Sequence, residues 1–146
     1  MAKSKQVSDW YSKSISVDRR KSREMFLDFE AGLAKAVLKS EPMNLDALIM
    51  LGNSLTRMGK DKDALEVDKK VVRILPKNPV AYYNLACSYS NLGKLDEAFS
   101  SLEIALKLGY KEFGFILRDR DLRNLRNDPR FSKLLTLYRK RSSRSR

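Results

Sequence analysis

The sequence predicts an all-α protein built as a solenoid of helical hairpins, and two observations predict it. Apolar residues in the central part recur at the three- and four-residue spacing of helices that bury one face. The same part matches itself at an offset of 34 residues, so that residues 43–76 align with residues 77–110 without gaps. Identical positions in the two segments include a capping Asn, small packing residues, a core Leu and a Gly-Lys pair.

Residues 43–76 predict the first hairpin. Asn44 is a capping residue type, and the helix that follows it is predicted to end near Gly59, since glycine readily adopts the left-handed conformation that ends a helix. A second helix is predicted from Asp61 to Ile74, where Pro76 stops it. The apolar spacing gives both helices one buried face.

Residues 77–110 predict a second hairpin of the same design. Asn78 is the cap, and Pro79 occupies the first helical position, where its missing N–H is not needed. Gly93 separates the two helices, and Gly109 ends the second.

These residues resemble the tetratricopeptide repeat, a 34-residue helix–turn–helix unit. The second segment matches its pattern best, through "Tyr-Asn-Leu-Ala-Cys-Ser-Tyr" followed by "Leu-Gly-Lys-Leu-Asp-Glu-Ala". The first segment departs from the pattern at Asp68, where the family usually has a bulky residue. The resemblance implies a right-handed solenoid whose function is to bind proteins or peptides without catalysis.

Residues 9–42 match the repeat weakly and are either a degenerate first repeat or a helical cap, after a disordered N-terminus at 1–8. Residues 19–39 are predicted to form one long helix, and Trp10, Tyr11 and Ile15 a short helix before it. The apolar residues on one side of the long helix are Met25, Phe26, Phe29, Leu33, Ala36 and Val37.

The repeat does not continue past Gly109. Residues 111–138 are predicted to be a helical cap that covers the open end of the array, with a last helix starting at Asp128-Pro129. Residues 139–146 are predicted to be a basic, disordered tail, because no apolar residue follows Tyr138 and nothing there repays the entropy of ordering.

The composition excludes several classes of function. The chain of 146 residues has no His and one Cys, which excludes histidine-based catalysis, His-ligated metals and an internal disulfide. It also lacks a phosphate-binding glycine loop. We therefore expect no enzyme activity, no cofactor and no metal site.

The helical spacing also predicts which residues line the groove of the solenoid. If the apolar faces point inward, the other face of each first helix forms the groove, with Tyr83 as an aromatic anchor and asparagines that can hold a peptide backbone. The predicted groove residues are Asp46, Ile49, Asn53, Thr56, Val80, Tyr83, Asn84, Cys87 and Ser90.

The alternative function is polyanion binding. The formal net charge is +12, and residues 110–146 carry twelve basic and four acidic residues. Nucleic acid or an acidic membrane surface would be the partner. The candidate residues are Arg139, Lys140, Arg141, Arg144 and Arg146.

Two further expectations concern location and assembly. We find no signal peptide and no transmembrane segment in the sequence, which predicts a cytoplasmic protein. Self-association is a further partner prediction, because open-ended helical arrays expose apolar edges.

Overall fold

The computed structural model describes residues 18–144, and every regular element in that part of the chain is helical. The predictions made for residues 1–17, and for Ser145 and Arg146, lie outside the described residues. Within the described range, the eight helices are α1 Arg19–Ser40, α2 Leu45–Arg57, α3 Asp61–Ile74, α4 Pro79–Asn91, α5 Leu95–Lys107, α6 Phe113–Ile116, α7 Arg123–Arg126 and α8 Pro129–Arg144. A 3₁₀ turn at Arg120–Leu122 precedes α7.

The hairpins form at the caps and glycines that predict them. The side chain of Asn44 accepts a hydrogen bond from the Ala47 N–H at 3.0 Å, and that of Asn78 accepts from Val80 and Ala81. Gly59 and Gly93 have φ values of 72° and 71°, where a side chain would be strained. The chain therefore reverses twice at equivalent points and makes two similar hairpins, α2–α3 and α4–α5.

The five long helices from α1 to α5 pack in sequence order, each against the next. Alanines at the contacts, such as Ala64, Ala86, Ala98 and Ala105, are fully buried and allow the helices to approach closely. This stack of helical hairpins is the predicted all-α solenoid. No helix of the described part is long and apolar enough to cross a bilayer.

The C-terminal elements cover the last hairpin. Ile116, Leu122 and Leu125 are completely buried in one apolar cluster with residues of α4 and α5, and Phe131, Leu135 and Tyr138 of α8 join it. Arg130 places its guanidinium 4.3 Å above the centre of the Phe99 ring. The elements after Gly109 therefore close the apolar end of α5.

The last helix is longer than predicted. It continues through Arg144, so residues 139–144 are helical where the sequence predicts a disordered tail. The Ser143 hydroxyl donates to the carbonyls of Arg139 and Lys140 at 3.0 and 3.1 Å. Cations near a helix C-terminus also interact favourably with the helix dipole, so the helix extends without burying apolar surface.

Helix α1 buries a different face from the one its large apolar residues indicate. Leu27, Ala31 and Ala34 are buried against the array. The predicted apolar side is largely exposed, since Phe29 is 66% and Met25 is 64% solvent-accessible. The small side chains of Ala31 and Ala34 allow close packing, and this selects the opposite face for the core.

Candidate peptide-binding site on the groove face

Some of the predicted groove residues line a single cavity of about 330 Å³. The cavity lies between α2, α4 and the segment 113–122, which we call the covering segment. Five of the predicted groove residues line it, namely Asn53, Thr56, Tyr83, Asn84 and Cys87. Residues that the groove prediction missed complete the lining: Arg57, Asp68, Phe115, Asp119 and Asp121.

The other predicted groove residues lie outside this lining. Asp46, Ile49 and Val80 are exposed near the N-terminal ends of α2 and α4. Ser90 is fully buried, and its backbone carbonyl accepts a hydrogen bond from the Asn124 side chain at 2.7 Å. The structure thus brings together the middle of the predicted groove and leaves its two ends apart.

Tyr83 is a structural residue and not the accessible anchor that the sequence predicts. Only 4% of its surface is exposed. Its hydroxyl donates to Asp119 Oδ2 at 2.6 Å, and its ring stacks on Tyr110 with centroids 4.3 Å apart and planes 7° from parallel. Phe115 packs at its side, with centroids 6.0 Å apart. The covering segment therefore buries Tyr83, which the sequence places on an open face.

Cys87 lies one helical turn after Tyr83 and is also buried. Burial raises the pKa of its thiol well above the usual value, and the Asp119 carboxylate, 3.8 Å from the sulfur, raises it further. A reactive cysteine needs a lowered pKa and access to solvent, so this thiol serves packing.

Three carboxylates line the cavity, and they come from distant parts of the chain. Asp68 lies on α3, while Asp119 and Asp121 belong to the covering segment. Among the described residues, none of the three pairs with a cation within 4.0 Å. Burial raises the pKa of Asp68 to about 6, although the hydrogen bond from Ser88 opposes the rise. Burial also raises the pKa of Asp121.

The ligand atoms of Cys87, Asp119 and Asp121 lie within 4.8 Å of one another. Asp119 already accepts hydrogen bonds from the Tyr83 hydroxyl and from the Asp121 N–H. Asp121 accepts one from the Asn91 side chain at 3.2 Å. The group therefore acts as a hydrogen-bond network that holds the covering segment against α4.

Asp68 departs from the repeat pattern because it has a specific partner. Its carboxylate accepts a hydrogen bond from the Ser88 hydroxyl at 2.6 Å, which links α3 to α4 across the hairpins. Gly52 makes room for it, because a Cβ at Gly52 would lie 3.1 Å from Asp68 Oδ1. Ser54, the equivalent of Ser88, donates to Glu30 on α1 at 3.2 Å. Ser54 and Ser88 occupy equivalent positions in the two repeats, and each donates to a carboxylate on the preceding helix. The shared serine was therefore the sequence signal for this hydrogen bond between helices.

Arginines surround the acidic cavity. A second cavity of about 480 Å³ shares five of its lining residues with the first. The cationic members of its lining are Arg23, Arg57, Arg118, Arg120 and Arg123. Arg57 lies 3.6 Å from the Glu30 carboxylate, and the Arg118 guanidinium donates to the Gly114 carbonyl. The groove face thus has an acidic floor and a basic rim.

Four of the residues predicted to bind polyanions lie on the exposed end of α8, and we call them the basic patch: Arg139, Lys140, Arg141 and Arg144. The fifth, Arg146, lies outside the described residues. The Arg141 guanidinium lies 5.3 Å from the centre of the Tyr138 ring. The basic patch is separate from the cavity of the groove face, because none of its members lines that cavity.

Comparison with known proteins finds a repeat family similar to part of the chain. Residues 69–99 match the family model described as "Tetratricopeptide repeat". The chain is 40% identical over 90 residues to a protein of Arabidopsis thaliana whose name marks it as chloroplastic, which covers 60% of this chain and 27% of that protein. It is 33% identical over 84 residues to a "Peroxisomal targeting signal receptor" of Komagataella phaffii, covering 57% of this chain and 15% of the receptor. The chain thus spans less than a third of these relatives.

A solved structure supports the architecture. "MamA 41-end" from Desulfovibrio magneticus RS-1 superposes with a TM-score of 0.60 at 24% sequence identity, over 78% of this chain and 67% of that one. At this level of identity, the similarity concerns the fold.

Proposed function

We propose that this protein is a protein–protein interaction module that binds an extended segment of a partner in the cavity of the groove face. The proposal is supported by the match of residues 69–99 to the tetratricopeptide repeat and by the stack of helical hairpins. The observation that carries the proposal is the cavity itself. Polar side chains without a hydrogen bond to a described residue face it from α2 and α4, the first helices of the two hairpins. A repeat array gives such a face its curvature, because each hairpin is rotated slightly from the one before it.

Asn53 and Asn84 supply the groups that would hold a peptide backbone. They lie on α2 and α4, they line the same cavity, and neither side chain forms a hydrogen bond with a described residue. Each amide offers donors and an acceptor, which matches the alternating N–H and C=O groups of an extended chain. These two residues belong to the predicted groove and remain accessible, unlike Tyr83 and Cys87.

The charges of the lining favour a partner segment with a Lys or Arg. Asp68 and Asp121 have raised pKa values because burial disfavours their charged forms. A cationic side chain between them would compensate this cost, since an opposite charge within a few ångströms favours the ionised carboxylate. Acidic residues beside that cation would then face the arginines of the rim.

The name of one relative supports a segment-binding role. The peroxisomal targeting signal receptor is named as a protein that receives a targeting signal. The name of the Arabidopsis relative places that protein in the chloroplast, so the cytoplasmic location expected for the present chain stays a prediction. The polyanion alternative also stays a prediction, based on the exposure of the basic patch.

The test uses peptides selected from a random display library by binding to the full-length chain. We expect the selected sequences to contain a Lys or Arg. The double variant Asn53→Ala/Asn84→Ala should weaken their binding about tenfold or more, because each lost hydrogen bond costs about 1 kcal/mol. Fluorescence anisotropy with a labelled peptide measures the change.

Asn127→Ala is the matched control, because Asn127 is exposed and does not line the cavity. It should bind the peptide as the unchanged chain does. The proposal is wrong if the double variant retains full affinity while its helical content and unfolding midpoint are unchanged. A preference for acidic peptides that lack a cation would contradict the charge argument alone.

A further inference from the structure

Helix α1 exposes an apolar surface that no described element covers. Four large side chains form it, and we call them the α1 stripe: Met25, Phe26, Phe29 and Leu33, with exposed fractions of 64%, 53%, 66% and 48%. Helical spacing puts them on one side, opposite the buried Leu27, Ala31 and Ala34. Contiguous apolar surface of this kind marks an interaction site in a folded protein.

A glycine lies within this surface, and no contact with a described residue requires it there. Gly32 follows Met25 by two helical turns and so shares its side of the helix. A Cβ added at Gly32 would meet no atom of the residues that the structure describes within 4 Å. Glycine inside a helix weakens the helix, so the chain here omits a side chain that it has room for. Ala36, one turn later, keeps the same strip of the surface shallow.

The shallow strip at Gly32 and Ala36 lies beside Phe29 and Leu33, three residues after each, and fits the backbone of another helix. Small residues at a helix contact allow two backbones to approach closely, while larger neighbours interlock on either side. A bilayer would gain nothing from a missing side chain, because its attraction increases with the apolar area buried. The helix α1 also has a described helical neighbour mainly on one side, α2, so a further helix would continue the stack.

Exposed cations lie at both ends of this surface, with Arg19 and Lys21 at one end and Lys39 at the other. The acidic residues at these ends have local partners, because Asp18 accepts hydrogen bonds from the Arg20 and Lys21 N–H groups and Glu41 accepts one from the Asn44 side chain. Lys21 and Lys39 point in the same direction, because eighteen residues make five whole turns, a distance of about 27 Å. None of the three forms an ion pair with a described residue.

From these observations we infer that the α1 stripe docks an amphipathic helix of a partner protein that carries acidic residues at both ends of its apolar face. The charges disfavour two other occupants. If a second copy of this chain bound through the same surface, Lys21 of one copy would face Lys39 of the other in an antiparallel pair. In a parallel pair the two Lys21 side chains would face each other, so like charges would repel in both cases. Residues 1–17 bring three lysines and one aspartate, so they are also cationic.

The test uses two synthetic amphipathic peptides of about 20 residues, which form a helix about 30 Å long. They share one Leu- and Ala-containing apolar face and differ only at their ends, which carry Glu in one and Lys in the other. Fluorescence anisotropy with the full-length chain measures both affinities at low salt. We expect the Glu-ended peptide to bind about tenfold more tightly, because several exposed ion pairs form together.

Two substitutions in α1 locate the binding. Phe29→Ala should weaken the Glu-ended peptide about 30-fold, as loss of an aromatic anchor does. Gly32→Leu fills the shallow strip and should weaken it similarly, although it strengthens the helix and so raises the unfolding midpoint. Leu137→Ala is the matched control, because Leu137 is 45% exposed on α8. Its affinity should equal that of the unchanged chain.

Several results would overturn the inference. Equal affinity for the two peptides would contradict the charge argument, and tighter binding by Gly32→Leu would indicate unspecific apolar adsorption. Binding to phosphatidylserine vesicles that Phe29→Ala abolishes, without peptide binding, would assign the surface to a membrane. A dimer in sedimentation that Phe29→Ala dissociates would assign it to a second copy. Higher peptide affinity in the Trp10→Ala/Tyr11→Ala/Ile15→Ala variant would assign it to residues 1–17.

Discussion

Replacement of Asp68 by Asn should stabilise the protein at neutral pH and leave it unchanged in acid. Asp68 is 6% exposed, and its carboxylate has the Ser88 hydroxyl as its hydrogen-bond donor, 2.6 Å away. Burial raises the pKa of the carboxyl group from 3.8 to about 6. The group therefore holds its proton more tightly in the folded chain than in the unfolded chain.

The size of the effect follows from this difference. One pKa unit corresponds to about 1.4 kcal/mol, so the ionised Asp68 lowers the free energy of unfolding at pH 7 by about 3 kcal/mol relative to the protonated form. Asp68 costs no stability below pH 3.8, where it is protonated in both the folded and the unfolded chain. The cost grows as the pH rises and is complete above about pH 6, where the carboxyl group also ionises in the folded chain. An Asn side chain has no charge to desolvate and can still accept the Ser88 hydrogen bond through its carbonyl oxygen.

The assay is urea unfolding followed by circular dichroism at pH 4 and pH 7. Asp68→Asn should raise the free energy of unfolding by about 2 to 3 kcal/mol at pH 7 and change it little at pH 4. Asp63→Asn, an exposed position on the same helix, is the control and should leave the pH dependence unchanged. If Asp68→Asn is less stable than the unchanged chain at pH 7, the desolvation argument is refuted.

Two other predictions concern the covering segment and the basic patch. Tyr83→Phe should lower the free energy of unfolding by about 1 to 3 kcal/mol, because it leaves the partly buried Asp119 carboxylate without that donor; equal urea midpoints for the two chains would contradict this. If the basic patch binds polyanions, affinity for duplex DNA should fall steeply with salt. Alanine at its four positions should then flatten the log–log slope by about 3 to 4, and a slope unchanged by these substitutions would argue against phosphate contacts there.

The local signals in the sequence predicted the hairpins well. Asn44, Asn78 and Pro79 act over two or three residues, and the positive φ values of Gly59 and Gly93 are a property of single positions. Such features depend on neighbours along the chain, so the repeat spacing was sufficient to find them. The solenoid follows because each hairpin has an apolar face that only another hairpin can cover.

The burial of Tyr83 could not be predicted in this way. Helical spacing correctly put Tyr83 and Cys87 on one face of α4, but it contains no information on what covers that face. Asp119, which accepts the Tyr83 hydrogen bond, lies 36 residues further along the chain. The sequence predicted residues 111–138 only as a cap over the open end of the array, and the contact of residues 113–122 with the groove face is a tertiary property.

The face of α1 was missed for a related reason. Large apolar residues and small ones mark two different faces of this helix, and hydrophobicity alone favours the large ones. Packing selected the face with Ala31 and Ala34, because small side chains bring α1 closer to α2. Periodicity therefore gives the orientation of a helix only when a single apolar face is present.

The most direct test of peptide binding in the cavity is backbone amide chemical-shift mapping with a peptide selected by the full-length chain. The account predicts that the largest shifts lie on α2 and α4 around Asn53, Thr56 and Asn84, and that they disappear in Asn53→Ala/Asn84→Ala. Largest shifts on the α1 stripe or on the basic patch, with the groove face unchanged, would contradict it.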